Sequence, residues 1–144
     1  ENLQLILEVA SIYDHDLDDK EAALGYLDQA KRVFKRFQTS SYGAAFELVM
    51  PVEETPDIYF EIFVKRADLN GRLQRYEEAV TDCNWAAFLR PEMAQPYLMR
   101  GKIYWNMQQG RNACKDWQKS ASLGNNEAAV LFDANCTATG FDSR

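Results

Sequence analysis

Asp14, Asp16, Asp18 and Asp19 surround the chain's single histidine, His15, and their alternation is how a calcium-binding loop begins. Such a loop continues with glycine and closes on a carboxylate that grips the ion with both oxygens. Here Asp19 and Gly25 stand in those places, so the run reads as an acidic, solvated turn between helices that holds no metal. His15 has no serine or cysteine nucleophile patterned near it, and no acid–base pair or phosphate loop appears elsewhere. The expectation is a non-enzyme without a cofactor. Cys83, Cys114 and Cys136 form no CxxC pair and lack histidine neighbours, which speaks against zinc. Cys83 and Cys114 fall on inward helical faces. They are expected as buried free thiols acting as small hydrophobes, with a weak lean toward a reducing, cytoplasmic setting. Lys31, Arg32, Lys35 and Arg36 recur at helical spacing opposite Val33, Phe34 and Phe37. They read as a solvated outer face, or as one that pairs with an acidic neighbour.

Those residues need elements to hold them. The 144 residues are 47% apolar, with only seven glycines and four prolines, a composition that fits long helices and short turns. A net charge of −6 argues against nucleic acid as the main partner, since phosphate binding needs a basic face. No apolar run reaches the roughly 18–20 residues of a membrane span. The opening Glu1-Asn-Leu-Gln-Leu-Ile-Leu-Glu8 has the wrong charge for a signal peptide and already shows helical period. Starting without methionine, the chain reads as a processed protein or an excised fragment, from which a targeting segment could have been removed.

Leu3, Ile6, Leu7, Ala10 and Tyr13 predict a helix over 1–16, and Ala23 to Phe37 a second that runs to about Gln38. Residues 38–55 break the period, with a loop and then a short apolar segment ending before Pro51. Thr55-Pro56-Asp57 reads as a helix opening, with a hydroxyl cap, a proline at the first helical position and an acid near the positive end. Helices are then expected over 56–72, 75–89, 94–108 and 111–123, with a last one over 127–136 and a frayed tail from Thr137.

Shifting residues 60–91 by 34 places them on 94–125. Ala67 lands on Gly101, Ala79 on Ala113, Asp82 on Asp116, Arg66 on Arg100 and Leu89 on Leu123. A period of this length belongs to stacked helical hairpins, none of which can bury its apolar face alone. Ala67, Tyr76, Ala79, Ala86 and Pro91, in order, resemble the tetratricopeptide repeat (TPR) pattern. The stretch from Trp117 to Gly124 is more weakly similar to Sel1-like repeats, which share the architecture. The resemblance implies an all-α TPR-type solenoid of about three hairpins plus a C-terminal capping helix. The expected divisions are a degenerate first hairpin over 1–38, an insert or linker over 39–55, hairpins over 56–91 and 92–125, and a cap and tail over 126–144.

The same resemblance implies a binding surface on the concave side, formed by the first helix of each hairpin. In this register it comprises Glu61, Val64, Lys65, Asp68 and Arg72, then Gln95, Leu98, Met99, Lys102, Trp105 and Asn106, with Gln4, Leu7, Glu8 and Ser11 joining from the first hairpin. Trp105, Met99 and Leu98 would form an apolar centre, with Lys65, Arg72 and Lys102 as a cationic rim. TPR domains that grip chaperone tails hold the terminal carboxylate with a lysine and an asparagine one turn apart. Leu7 and Ser11 stand there in the first hairpin, and Val64 and Asp68 in the second, so that subclass is not expected. The expected function is a non-enzymatic interaction module taking a peptide or protein segment in its groove. The alternative is a structural subunit that self-associates, or joins a larger complex, through the solenoid ends or the 38–55 insert.

Overall fold

The structure, a computed structural model, describes residues 2–42 and 55–136, with side chains placed through Gln38 in the first of these stretches. Seven α-helices and no strand occur among the described residues: α1 Leu3–His15, α2 Lys20–Tyr42, α3 Asp57–Arg72, α4 Tyr76–Leu89, α5 Gln95–Asn106, α6 Gly110–Ser122 and α7 Asn126–Asn135. The closest pairings are α1 with α2, α3 with α4 and α5 with α6, and each hairpin then leans on the next. The first helices α1, α3 and α5 also meet one another across hairpins, which puts them on the inner curve of the stack. The fold is an all-α helical-repeat solenoid.

Local chemistry sets the helix ends. The side chains of Asn2, Asp19 and Asn125 accept from the backbone N–H of Leu5, Ala22 and Ala128, at 3.1, 3.0 and 2.8 Å. The turn inside each of the two later hairpins passes through a left-handed residue, Gln74 at φ 61° and Gln108 at φ 60°, which repeats the 34-residue offset in the backbone itself. Gly124, at φ 97°, ends α6 in the conformation that glycine tolerates best. Two expectations change. Helix α2 runs on to Tyr42, past Gln38. Thr55 is no cap: α3 starts at Asp57 with Pro56 before it and no side-chain cap bond. The Thr55 hydroxyl is buried without a partner. Arg90 does the fastening there, donating to the Thr55 carbonyl at 2.5 Å and to Asp57 Oδ1 at 2.6 and 2.9 Å. The apolar segment before Pro51 and the tail from Thr137 lie outside the described residues.

Small residues sit where helices cross. Ala67, Ala79 and Ala113 are fully buried. At Gly101 a β-carbon would come within 2.6 Å of the Trp117 ring, so only glycine lets α5 approach α6 this closely. Around these crossings an aromatic core of Phe34, Tyr59 and Phe63, flanked by Trp85, joins the first two hairpins. A smaller core around Trp117, Ala113 and Ala128 joins the third hairpin to α7.

Polar pairs repeat as well. Arg66 is bonded to Asp82 within its own hairpin and reaches back to Asp28 of the preceding one at 2.6 and 3.0 Å. One period on, Arg100 grips Asp116 with two bonds of 2.7 and 2.8 Å and reaches back to Asn84 at 2.7 Å.

The cysteines need a correction. Cys114 is bonded to Cys136, because the end of α7 folds back over α6 and brings the two together across 22 residues of chain. Cys83 alone is a buried free thiol, and burial pushes its pKa up to about 12. The lean toward a reducing setting rested on free thiols, and Cys114 is not one.

Candidate functional site: the concave face

Two cavities lie along the inner curve. The first, about 450 Å³, sits between α1 and α3 and is lined by Gln4, Leu7, Glu8, Ser11, Ile12, Glu61 and Lys65. The second, about 330 Å³, sits between α3 and α5 and is lined by Ala67, Asp68, Gly71, Arg72, Met99, Lys102, Ile103 and Asn106. Helical spacing explains the membership: residues three and four apart share a face, so each first helix sends one stripe into the groove.

The structure thus brings together Asp68, Arg72, Met99, Lys102 and Asn106 in the second cavity and places Lys65 in the first, while Val64, Gln95, Leu98 and Trp105 line neither. Leu98 is a correction. At 8% exposure it belongs to the core around Trp117, turned inward by α6, and cannot be part of an apolar groove centre. Trp105 is 39% exposed and lies with its ring 5.4 Å from that of Trp117, so one face packs while the other meets solvent.

The cationic rim is engaged within the molecule. Lys65 donates to the Ser11 hydroxyl at 2.6 Å, and Arg72 to Asp14 at 2.6 Å and Asp68 at 3.1 Å. Lys102 pairs with Glu127 of α7. Asp14 was expected in a solvated turn, yet it is buried and ties α1 to α3. The hydrogen bond from Arg72 holds its carboxyl below the usual carboxylate range against the opposing cost of burial. The rest of the acidic run is local: Asp18 pairs with Lys20, and Asp19 caps α2. Ile12, 48% exposed, was missed from sequence although it stands one turn beyond Glu8 on α1. Its position on that stripe was the available signal.

Hairpins in this register, closed by small residues at each crossing and repeated every 34 residues, define a tetratricopeptide-repeat solenoid. Comparison with known proteins agrees. No family model matches the chain. Over 89 residues, 62% of its length, it is 36% identical to human tetratricopeptide repeat protein 13, and the match spans about a tenth of that protein. A solved structure described as the first TPR of Spaghetti (RPAP3) bound to HSP90 peptide SRMEEVD superposes with a TM-score of 0.69. It covers 94% of this chain and 91% of that one at 19% identity, which is a likeness of fold. The chain's hairpins are thus of the tetratricopeptide-repeat type in fold and resemble that family's repeats in sequence.

Proposed function

We propose that this chain is a non-enzymatic protein-interaction module that seats an extended or helical segment of another protein against α1, α3 and α5. The observation that carries this reading is the pair of cavities that follow one another along the first helices, with apolar floors at Leu7, Ile12, Met99 and Ile103. A preformed groove loses little ordering entropy on the scaffold side, and it offers polar rims that fix register. The similar solved structure, whose description names a bound peptide, supports peptide recognition as the mode. It does not carry over the acidic tail. Leu7, Ser11, Val64 and Asp68 still lack the donors for a terminal carboxylate, and the cations nearby are already bonded within the chain.

The test is substitution of the cavity floors. Ile12→Glu combined with Met99→Glu should abolish capture of whatever partner the unmodified chain retains, with the helical circular dichroism unchanged. Equal capture by the doubly substituted chain would end the groove reading. A second reading, assembly through a solenoid end, draws on Val130, exposed on α7, the last of the described helices. Light scattering separates the two, since a monomer at all concentrations supports the groove and a stable dimer supports assembly.

A further inference from the structure

The two concave cavities differ in how their charges are answered. In the second, Arg72 bonds to Asp14 and Asp68, and Lys102 pairs with Glu127. In the first, between α1 and α3, Glu8 and Glu61 line opposite walls and both are exposed. Glu8 takes a 3.4 Å bond from Gln4, and among the described residues neither carboxylate meets a cation within ion-pair distance. Lys65, the cation that lines this cavity, is turned to the Ser11 hydroxyl at 2.6 Å. Two carboxylates to one ammonium leave negative charge over at this place. The chain's net charge of −6 already draws cations toward it.

The apolar groups here are open as well. Leu5 and Ile12 flank Glu8 one turn to either side on α1, 54% and 48% exposed. Seven residues apart on a helix, they stand about 10 Å from each other along its axis. A carboxylate between two exposed apolar side chains, with a second carboxylate opposite, suits one kind of visitor best. A guanidinium can donate to both acids at once, and it is less strongly hydrated than an ammonium, so it gives up less on entering. Apolar neighbours of that arginine would cover Leu5 and Ile12 and exclude water from the pairing. An acidic segment would set carboxylate against carboxylate.

We infer, resting on the concave groove as the binding face, that the α1–α3 cavity takes a basic protein segment, with an arginine between Glu8 and Glu61 and an apolar residue on either side of it. The probe is a short fluorescein-labelled peptide with an arginine between two leucines in an alanine background, and a companion with glutamine for the arginine. Fluorescence anisotropy against the intact chain should show the arginine peptide binding at least about tenfold more tightly, a margin that shrinks as salt rises from about 50 to about 500 mM. Glu8→Gln combined with Glu61→Gln should erase the margin. Glu77→Gln combined with Glu78→Gln makes the same change of net charge at exposed positions of α4 and should keep it. Ile12→Ala should weaken both peptides alike. Equal binding of the two peptides, each weakened by Ile12→Ala, would overturn the arginine assignment and leave the groove standing. A margin that survives Glu8→Gln with Glu61→Gln would overturn it too, moving the arginine elsewhere on the acidic surface. So would failure of the arginine peptide to bind at all, while the groove itself is judged by the Ile12→Glu and Met99→Glu chain.

Discussion

Arg66 and Arg100 hold the same place in consecutive hairpins, and the joints they fasten are built differently. Both guanidinium groups grip an aspartate of their own hairpin, Asp82 or Asp116, and both reach back to the hairpin before. Around Arg66 the backward partner is a second carboxylate, Asp28, and Asn70 adds a 3.0 Å bond to Asp82. Asp82 is 1% exposed, and its burial raises the carboxyl pKa even with Arg66 against it. Around Arg100 the backward partner is the neutral Asn84, and both members of the ion pair reach solvent a little more. Beyond that joint the last described helix, α7, is fastened by the Cys114–Cys136 bond. The middle joint thus relies on buried charge enclosed by aromatics, and the last joint on a lighter pair and a covalent staple. A repeat preserves the position of an interaction more faithfully than its weight, because burial depends on how many neighbours stack on either side.

Removing the two arginines should expose the difference most sharply. Arg66→Ala leaves the buried Asp82 with only Asn70 and the more distant Lys31 to answer it and should cost about 3–5 kcal/mol, the usual penalty for breaking a buried ion pair from one side. Arg100→Ala, in the wetter joint, should cost about 1.5–3 kcal/mol. Urea unfolding midpoints of the two variants would settle it, and equal losses would mean that the joints are equivalent.

Opening the staple comes next. Reduction, or Cys136→Ser, should destabilise the α6–α7 end by about 2–4 kcal/mol while the Arg66 joint keeps its protection. Hydrogen exchange reads both ends in one experiment. In the unmodified, oxidised chain a thiol reagent should label Cys83 only after denaturation, and Cys114 only after denaturation and reduction. Labelling of native Cys83 would contradict its buried place on α4.

Much of this was open to a reader of the sequence. The 34-residue offset, with alanine or glycine at each crossing, was enough for the hairpins, since close packing permits little else there. Arg66 and Arg100, with Asp82 and Asp116, also stood in the repeat, yet their pairing is a property of two helices and no single helix pattern shows it. Leu98 and Asp14 were misplaced for a related reason. Helical period tells which residues share a face, while the neighbouring hairpin decides whether that face is groove or core. The Cys114–Cys136 bond depends on α7 folding back onto α6, which spacing alone does not encode. Among the residues expected on the concave side, Asp68 and Asn106 line the cavity between α3 and α5.

Two glycines refine the comparison on a smaller scale. Gly101→Ala forces a methyl into the Trp117 ring, 2.6 Å away, and should cost about 1–3 kcal/mol. At Gly71 the nearest outside atom is Ile103 Cγ1 at 3.8 Å, an ordinary contact. Gly71→Ala should therefore leave stability unchanged or raise it by about 0.5–1 kcal/mol through helix propensity. Thermal melts that move in the same direction for both would show that the α5–α6 approach is looser than described.

The smallest effect is a pH dependence at the first joint. The folded-state pKa of Asp14 is lowered, chiefly by its hydrogen bond from Arg72. Its contribution is then full above the ordinary carboxylate range, near pH 4, and fades as pH falls through the lower folded value. Asp14→Asn should flatten that acid arm in a series of urea midpoints. Asp82, shifted upward, gives the opposite slope, so the difference between variant and unmodified chain isolates Asp14.

The concave face carries the functional reading, and placing a photo-crosslinking amino acid on each side of the same hairpin tests it most directly. Asn106 lies in the second concave cavity, and Gln118 is exposed on α6, the second helix of that hairpin. With the captured partner present, irradiation should join it to the chain from position 106 and not from position 118. Crosslinking from 118 alone would contradict the account and move the site to the second helices.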